Sequence, residues 1–80
     1  MEIIDFKADL EQQCQLALDT YQEKPCNETY TSAMAKLDGI YLGILVIIRS
    51  IGEDPIYNEV LEVARQVTQM YQASLVSARL

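Results

Sequence analysis

Two breaks in the chain divide the sequence into three segments, and they constrain the fold more than any other feature. The first is Lys-Pro-Cys-Asn at 24–27, where a proline disfavours helical backbone in the residue before it. The second is Gly-Glu-Asp-Pro at 52–55. There Gly52 suits the position after a helix end, Asp54 suits an N-cap, and Pro55 suits the first helical position. Each segment between these breaks is long enough to be one helix.

The outer two segments have the apolar spacing of amphipathic helices, with steps of three and four residues. In the first segment the apolar positions are Ile3, Phe6, Leu10, Cys14, Ala17, Leu18 and Tyr21. In the third they are Tyr57, Val60, Ala64, Val67, Tyr71, Ser74 and Ala78, widened by Leu61, Val63, Met70 and Leu75. We predict helices near 3–22, 28–51 and 55–79, joined by turns at 23–27 and 52–54. The fold class is therefore all-α, a three-helix antiparallel bundle made of a helical hairpin plus a third helix, in a single domain over 1–80.

The middle segment is too apolar for an ordinary amphipathic helix. Asn27 or Thr29 is expected to cap it, and its main stripe is Tyr30, Met34, Leu37, Tyr41, Ile44, Ile48 and Ile51. Residues 40–48 are nevertheless apolar on every face, and a helix of that kind is normally buried all round. A strand is a poor alternative because the chain offers it no partner strand. We also predict no membrane span, since the uncharged run at 39–48 is far shorter than the ~20 residues required.

The excess apolar surface of the middle helix predicts a subunit or partner interface. The residues expected there are Gly39, Tyr41, Leu42, Gly43, Leu45, Val46 and Ile47, with Tyr30 nearby. The pair Gly39 and Gly43 indicates a helix crossing, either because the backbones of two helices approach closely or because Tyr21, Tyr41 or Tyr71 needs the space. A twofold homodimer is the commonest solution for such a patch. The alternative is a monomer in which the outer helices splay and bury the middle one.

Composition excludes several classes of function. The 80 residues carry 12 acidic and 6 basic side chains and no histidine or tryptophan. Without clustered lysine and arginine we predict no direct nucleic-acid binding. Without histidine there is no imidazole base, and two cysteines do not complete a zinc site. Carboxylates such as Glu59 and Glu62 have ordinary helix-surface spacing. We therefore expect no catalytic residues, no metal, no cofactor and no enzymatic activity.

The cysteines and the N-terminal residues predict a cytoplasmic protein with reduced thiols. Cys14 falls on the apolar stripe of the first helix, where cysteine behaves as a small hydrophobic residue. Cys26 falls in the first break. The sequence at 1–7 lacks the basic start and apolar run of a signal peptide. Reduced cysteines are then the expectation.

Two classes of function remain. The charge of residues 1–28 sums to −5, against +1 for residues 29–52 and −2 for residues 53–80. An acidic face on the first helix would steer the protein towards a basic protein partner. We therefore predict a stoichiometric interaction module, such as an inhibitor, adaptor, immunity factor or chaperone-like protein, that also self-associates. The alternative is an oligomeric sponge that holds a small anion, such as a nucleotide, through Lys36, Arg49 and Arg65.

Overall fold

A computed structural model describes residues 3–52 and 54–79. Its helices are α1 (Ile3–Glu23), α2 (Asn27–Ile51) and α3 (Pro55–Arg79), and each helix contacts both of the others. The predicted all-α three-helix bundle is confirmed. The observed helix ends lie within one residue of the predicted ones. Position 53 of the second predicted turn lies outside the described residues.

The turn between α2 and α3 has the local chemistry that the sequence predicts. Gly52 has a backbone φ of 114°, a conformation that L side chains rarely adopt. The N–H of Ile56 donates a hydrogen bond to Asp54 Oδ1 at 3.0 Å, so Asp54 caps α3. Pro55 then opens the helix. The predicted roles of these three residues are confirmed.

The turn between α1 and α2 differs from the prediction. Cys26, in extended conformation, is the N-cap of α2, and Asn27 is already helical. Thr29 contributes from the third helical position, where its Oγ1 accepts the Cys26 N–H at 3.2 Å and donates to the Lys24 carbonyl at 2.6 Å. The expectation that Asn27 or Thr29 is itself the cap is wrong, because Thr29 satisfies the cap backbone by reaching back one turn.

The core contains the predicted stripe of α1 from Phe6 to Tyr21 and most of the predicted stripe of α3. The side chain of Ile3 lies outside the described part of the chain. The buried members of the core are Leu10, Cys14, Ala17, Tyr21, Ala33, Leu37, Ala64, Val67 and Leu75. Near the end of α3 the prediction fails for Met70, Ser74 and Ala78, which are exposed, whereas the widening position Leu75 is fully buried. The predicted stripe repeats every 3.5 residues, whereas an α-helix has 3.6 residues per turn. The buried position therefore drifts by ~20° per heptad, and Leu75 replaces Ser74 at the core.

Contacts at one end of the bundle fix the directions of the helices. The Tyr21 ring packs edge-on against Tyr30, with 5.9 Å between the ring centroids. The Arg79 guanidinium lies 4.4 Å from the centroid of the same Tyr30 ring. The ends of α1 and α3 thus meet at the start of α2. Further along, the Gln72 side-chain amide donates to Asp38 Oδ1 at 2.6 Å. Consequently, α2 runs antiparallel to both of its neighbours.

Candidate interaction surface on the middle helix

The middle helix is covered on one side only. Leu37 and Ile48 are buried, and they lie on the side that faces α1 and α3. On the opposite side Leu42, Val46 and Ile47 are 55%, 63% and 62% exposed. The alternative in which the outer helices bury α2 from both sides is therefore wrong for this chain. Both neighbours pack on the same side because each also contacts the other.

We define the outer face of α2 by twelve exposed residues that lie within about 80° of Gly39 around the helix axis. They are Glu28, Thr31, Ser32, Ala35, Lys36, Gly39, Leu42, Gly43, Val46, Ile47, Arg49 and Ser50. The first half of this face carries small and polar side chains, and the second half carries the large apolar ones. Its charged members are Glu28 and Lys36 in the first half and Arg49 at the end of the second. An exposed apolar surface of this continuity is typical of an interaction site.

The two helical glycines lie in the middle of the outer face. A Cβ atom built on Gly39 or Gly43 meets no atom within 4 Å among the neighbouring parts of the described chain. The expectation that they make room for Tyr21, Tyr41 or Tyr71 is wrong, because the tyrosines lie elsewhere. No other helix of the described bundle crosses α2 at this point. Each glycine costs about 1 kcal/mol of helix stability relative to alanine, and nothing within the described chain offsets that cost.

The seven residues predicted at the interface fall into an exposed group and a partly buried group. Gly39, Leu42, Gly43, Val46 and Ile47 are exposed on the outer face. Tyr41 and Leu45 are partly buried, and Tyr41 packs against the core. Tyr30 is also partly buried, between the Tyr21 ring and the Arg79 guanidinium. The sequence pattern did not separate these groups because every residue in the segment is apolar.

An apolar groove extends the outer face at the end of α2. It has a volume of about 440 Å³ and lies between the start of α1, the end of α2 and the start of α3. Its lining includes Phe6, Ile47, Ile51 and Ile56, and the last three of these are exposed. Ile47 belongs to both the groove and the outer face. The uncovered apolar surface therefore continues around the end of the bundle, a feature that sequence periodicity did not reveal.

The three cations of the predicted anion site are not brought together. Lys36 and Arg49 are thirteen positions apart on α2, which corresponds to about 20 Å along the helix. The Arg65 guanidinium instead binds the Glu62 carboxylate, with Nε donating to Oε2 at 3.2 Å. This pairing lowers the pKa of Glu62 and raises the pKa of Arg65. Arg49 does line a groove of about 700 Å³ at the α2–α3 turn, but the Asp54 carboxylate lines it too.

The two thiols have opposite environments. Cys14 is fully buried, and burial, with a smaller contribution from Glu11, raises the pKa of its thiol. The Cys26 Sγ lies 3.5 Å from Thr29 Oγ1, and this hydrogen bond is the main reason that the pKa of Cys26 is lowered. Within residues 3–52 and 54–79 no three cysteine or carboxylate side chains gather where a metal ion would bind.

By length and composition alone, α2 could also cross a membrane. An 18-residue window of this helix has a mean hydropathy of 1.6, and 17% of that window is buried in the bundle. The uncharged run within it is ten residues long and ends at Asp38 and Arg49.

The fold and the surface define a class: a small three-helix bundle whose central helix presents an uncovered apolar face. Comparison of the chain with protein-family models, with curated proteins and with solved structures finds no match. Function is therefore inferred from the exposed surface itself.

Proposed function

We propose that this protein is a stoichiometric protein–protein interaction module that acts by binding and not by catalysis. Its principal docking surface is the outer face of α2, and it self-associates through that helix. One observation carries the proposal: Leu42, Val46 and Ile47 are each more than half exposed and adjoin two glycines with open space above them. Burial of one such side chain contributes ~1.5–3 kcal/mol, so covering the face would stabilise a complex.

The acidic side of α1 supports a second role in steering. Asp5 and Asp9 are exposed on this helix, whereas its lysine, Lys7, lies 4.0 Å from the Glu11 carboxylate. Charged residues at the rim of an interface mainly increase the rate of association with a partner of opposite charge. We therefore infer a basic protein partner for α1, in addition to the apolar contact on α2. An inhibitor, adaptor, immunity factor or chaperone-like protein would use the two surfaces in this way.

The anion-sponge alternative has less support. It requires two or more cations in one place, and the described chain separates Lys36 from Arg49 and pairs Arg65 with Glu62. A second copy would have to bring these cations together. The groove beside Arg49 is the remaining site for this function.

Site-specific photo-crosslinking in the source cell tests the proposed function. A photoreactive residue is placed at position 46 on the outer face of α2, at position 9 on the acidic side of α1, and at position 70 as the control. Met70 is a suitable control because it is 53% exposed and apolar but lies on α3. We expect adducts at 46 and 9, and none at 70. Equal labelling at all three positions, or no protein adduct at any of them, would contradict the proposal.

A further inference from the structure

We propose that the outer face of α2 is covered by a second copy of this chain, arranged antiparallel about a twofold axis that passes beside Gly39. This inference rests on the proposed function, because it names the occupant of the same surface. Two copies of α2 would cross with their glycines at the point of closest approach. The two-chain assembly would then have α2 at its centre and α1 and α3 on its outer sides.

The position of Gly39 supports this register. Helix α2 runs from Asn27 to Ile51, so Gly39 is its central residue. A twofold axis at this residue places position i of one copy beside position 78 − i of the other. The two helices then overlap along their whole length of about 37 Å. Any other antiparallel register would shorten this overlap.

The distribution of side-chain size favours the antiparallel direction. In the proposed register, Val46 of one copy lies over Ser32 of the other. Leu42 lies about one residue along the axis from Ala35, which is on the same side of the face. Gly39 faces its own symmetry mate. Large side chains from the second half of the face thus fill the space above small side chains in the first half, as interdigitated packing requires. In a parallel pair, Val46 would meet Val46 while Ser32 met Ser32, leaving a gap at one end and crowding at the other.

The charges point to the same direction. Glu28 is the acidic residue in the first turn of α2, and Arg49 is the basic residue in its last turn. Both are exposed, and both lie on the same side of the line through Gly39. The antiparallel pair places Glu28 of each copy about one residue from Arg49 of the other. A parallel pair would instead place like charges together, which is unfavourable. Antiparallel helix dipoles add to the preference.

The size of the face sets the expected affinity. A helix about 37 Å long and about 10 Å wide offers roughly 400 Å² per copy, about half the ~800 Å² of a standard interface. We therefore expect a dissociation constant in the micromolar range. The groove at Ile51 and Ile56 shares Ile47 with this contact. The rest of its lining remains available to the other protein partner.

Disulfide trapping tests the arrangement in the full chain. The background variant is Cys26→Ser, which removes the accessible thiol and leaves the fully buried Cys14 in place. In this background the Gly39→Cys chain is oxidised alone. A tagged Ser32→Cys chain is separately mixed with an untagged Val46→Cys chain, a pair that retains both glycines. Circular dichroism verifies that every variant is helical.

The antiparallel register predicts a Gly39→Cys homodisulfide and a disulfide between the Ser32→Cys and Val46→Cys chains. Only this register brings the Cα atoms of positions 32 and 46 of two different chains within the ~7 Å that a disulfide requires. We therefore expect the disulfide between the Ser32→Cys and Val46→Cys chains to exceed either homodimer by about tenfold. Predominant Ser32→Cys homodimers would show a parallel pair and overturn the inference. Absence of trapping at every position, or trapping only with anionic lipid vesicles present, would also overturn it. A monomeric chain that still crosslinks to another protein from position 46 would refute this inference and the self-association, while leaving the docking role of the outer face intact.

Discussion

Replacement of Gly39 and Gly43 by alanine separates the stability of the bundle from its self-association. Both glycines are helical, and a Cβ atom at either position meets nothing within 4 Å in the neighbouring described structure. Alanine therefore adds helix propensity without a steric cost inside one chain. The same methyl groups would stand between two α2 helices in the proposed dimer. One double variant is thus expected to have two opposite effects.

The magnitude of the first effect follows from helix propensity. Alanine is favoured over glycine by ~0.8–1.0 kcal/mol at each position, so the double variant gains about 2 kcal/mol in the free energy of unfolding. For a chain of 80 residues the entropy of unfolding is about 0.17 kcal/mol/K, so the melting midpoint rises by roughly 10 °C. The second effect is a weaker dimer, by about tenfold, because the backbones no longer approach as closely.

Circular dichroism melts measure the stability of the bundle at about 1 μM, below the expected dissociation constant. Sedimentation at higher concentration measures the affinity of the dimer. Gly52→Ala is the matched control, because Gly52 has a φ of 114°. The same chemical change should there lower the stability by ~1–3 kcal/mol. A double variant that melts earlier than the native chain at low concentration would refute the reasoning, since it would mean that part of the fold occupies the space above α2.

Three further predictions follow from the described contacts. Leu37→Ala should lower the free energy of unfolding by ~2–5 kcal/mol in urea titration because Leu37 is 0% exposed, whereas Leu42→Ala should change it by less than ~0.5 kcal/mol. The pKa values of Cys14 and Tyr71 are raised, mainly by burial, so the folded state favours their neutral forms. The stability that these two groups contribute is fully present below their unfolded pKa values and is lost as the pH rises through their folded pKa values. Urea midpoints should therefore fall above about pH 9. Nucleotides should leave the melting midpoint unchanged, whereas stabilisation that Arg49→Gln abolishes would favour the anion sponge.

Local signals were sufficient to predict the helices. Pro25 ends α1, and the combination of Gly52, Asp54 and Pro55 defines the second turn by backbone conformation and capping. These effects act within a few residues and need no knowledge of the rest of the fold. The cap at Cys26 was not predicted because it depends on Thr29 reaching back from the third helical position.

The surface was harder to predict because it depends on where the neighbouring helices lie. An apolar excess in α2 indicated an interface, but periodicity alone did not separate the inner Tyr41 from the outer Leu42. The open space above Gly39 and Gly43 also required the packed structure. In α3 the small difference between 3.5 and 3.6 residues per turn accumulates over several turns, and this is why Leu75 was buried in place of Ser74.

The central claim is that the outer face of α2 is the association surface, and sedimentation of three chains tests it most directly. The native chain, Val46→Glu and Met70→Glu are compared from about 1 to about 100 μM, a range that spans the expected dissociation constant. Val46 and Met70 are both exposed, at 63% and 53%, on different helices. We predict that the native chain and Met70→Glu dimerise within this range, while Val46→Glu remains a folded monomer. A native chain that stays monomeric throughout, or equal loss of association in both glutamate variants, would contradict the claim.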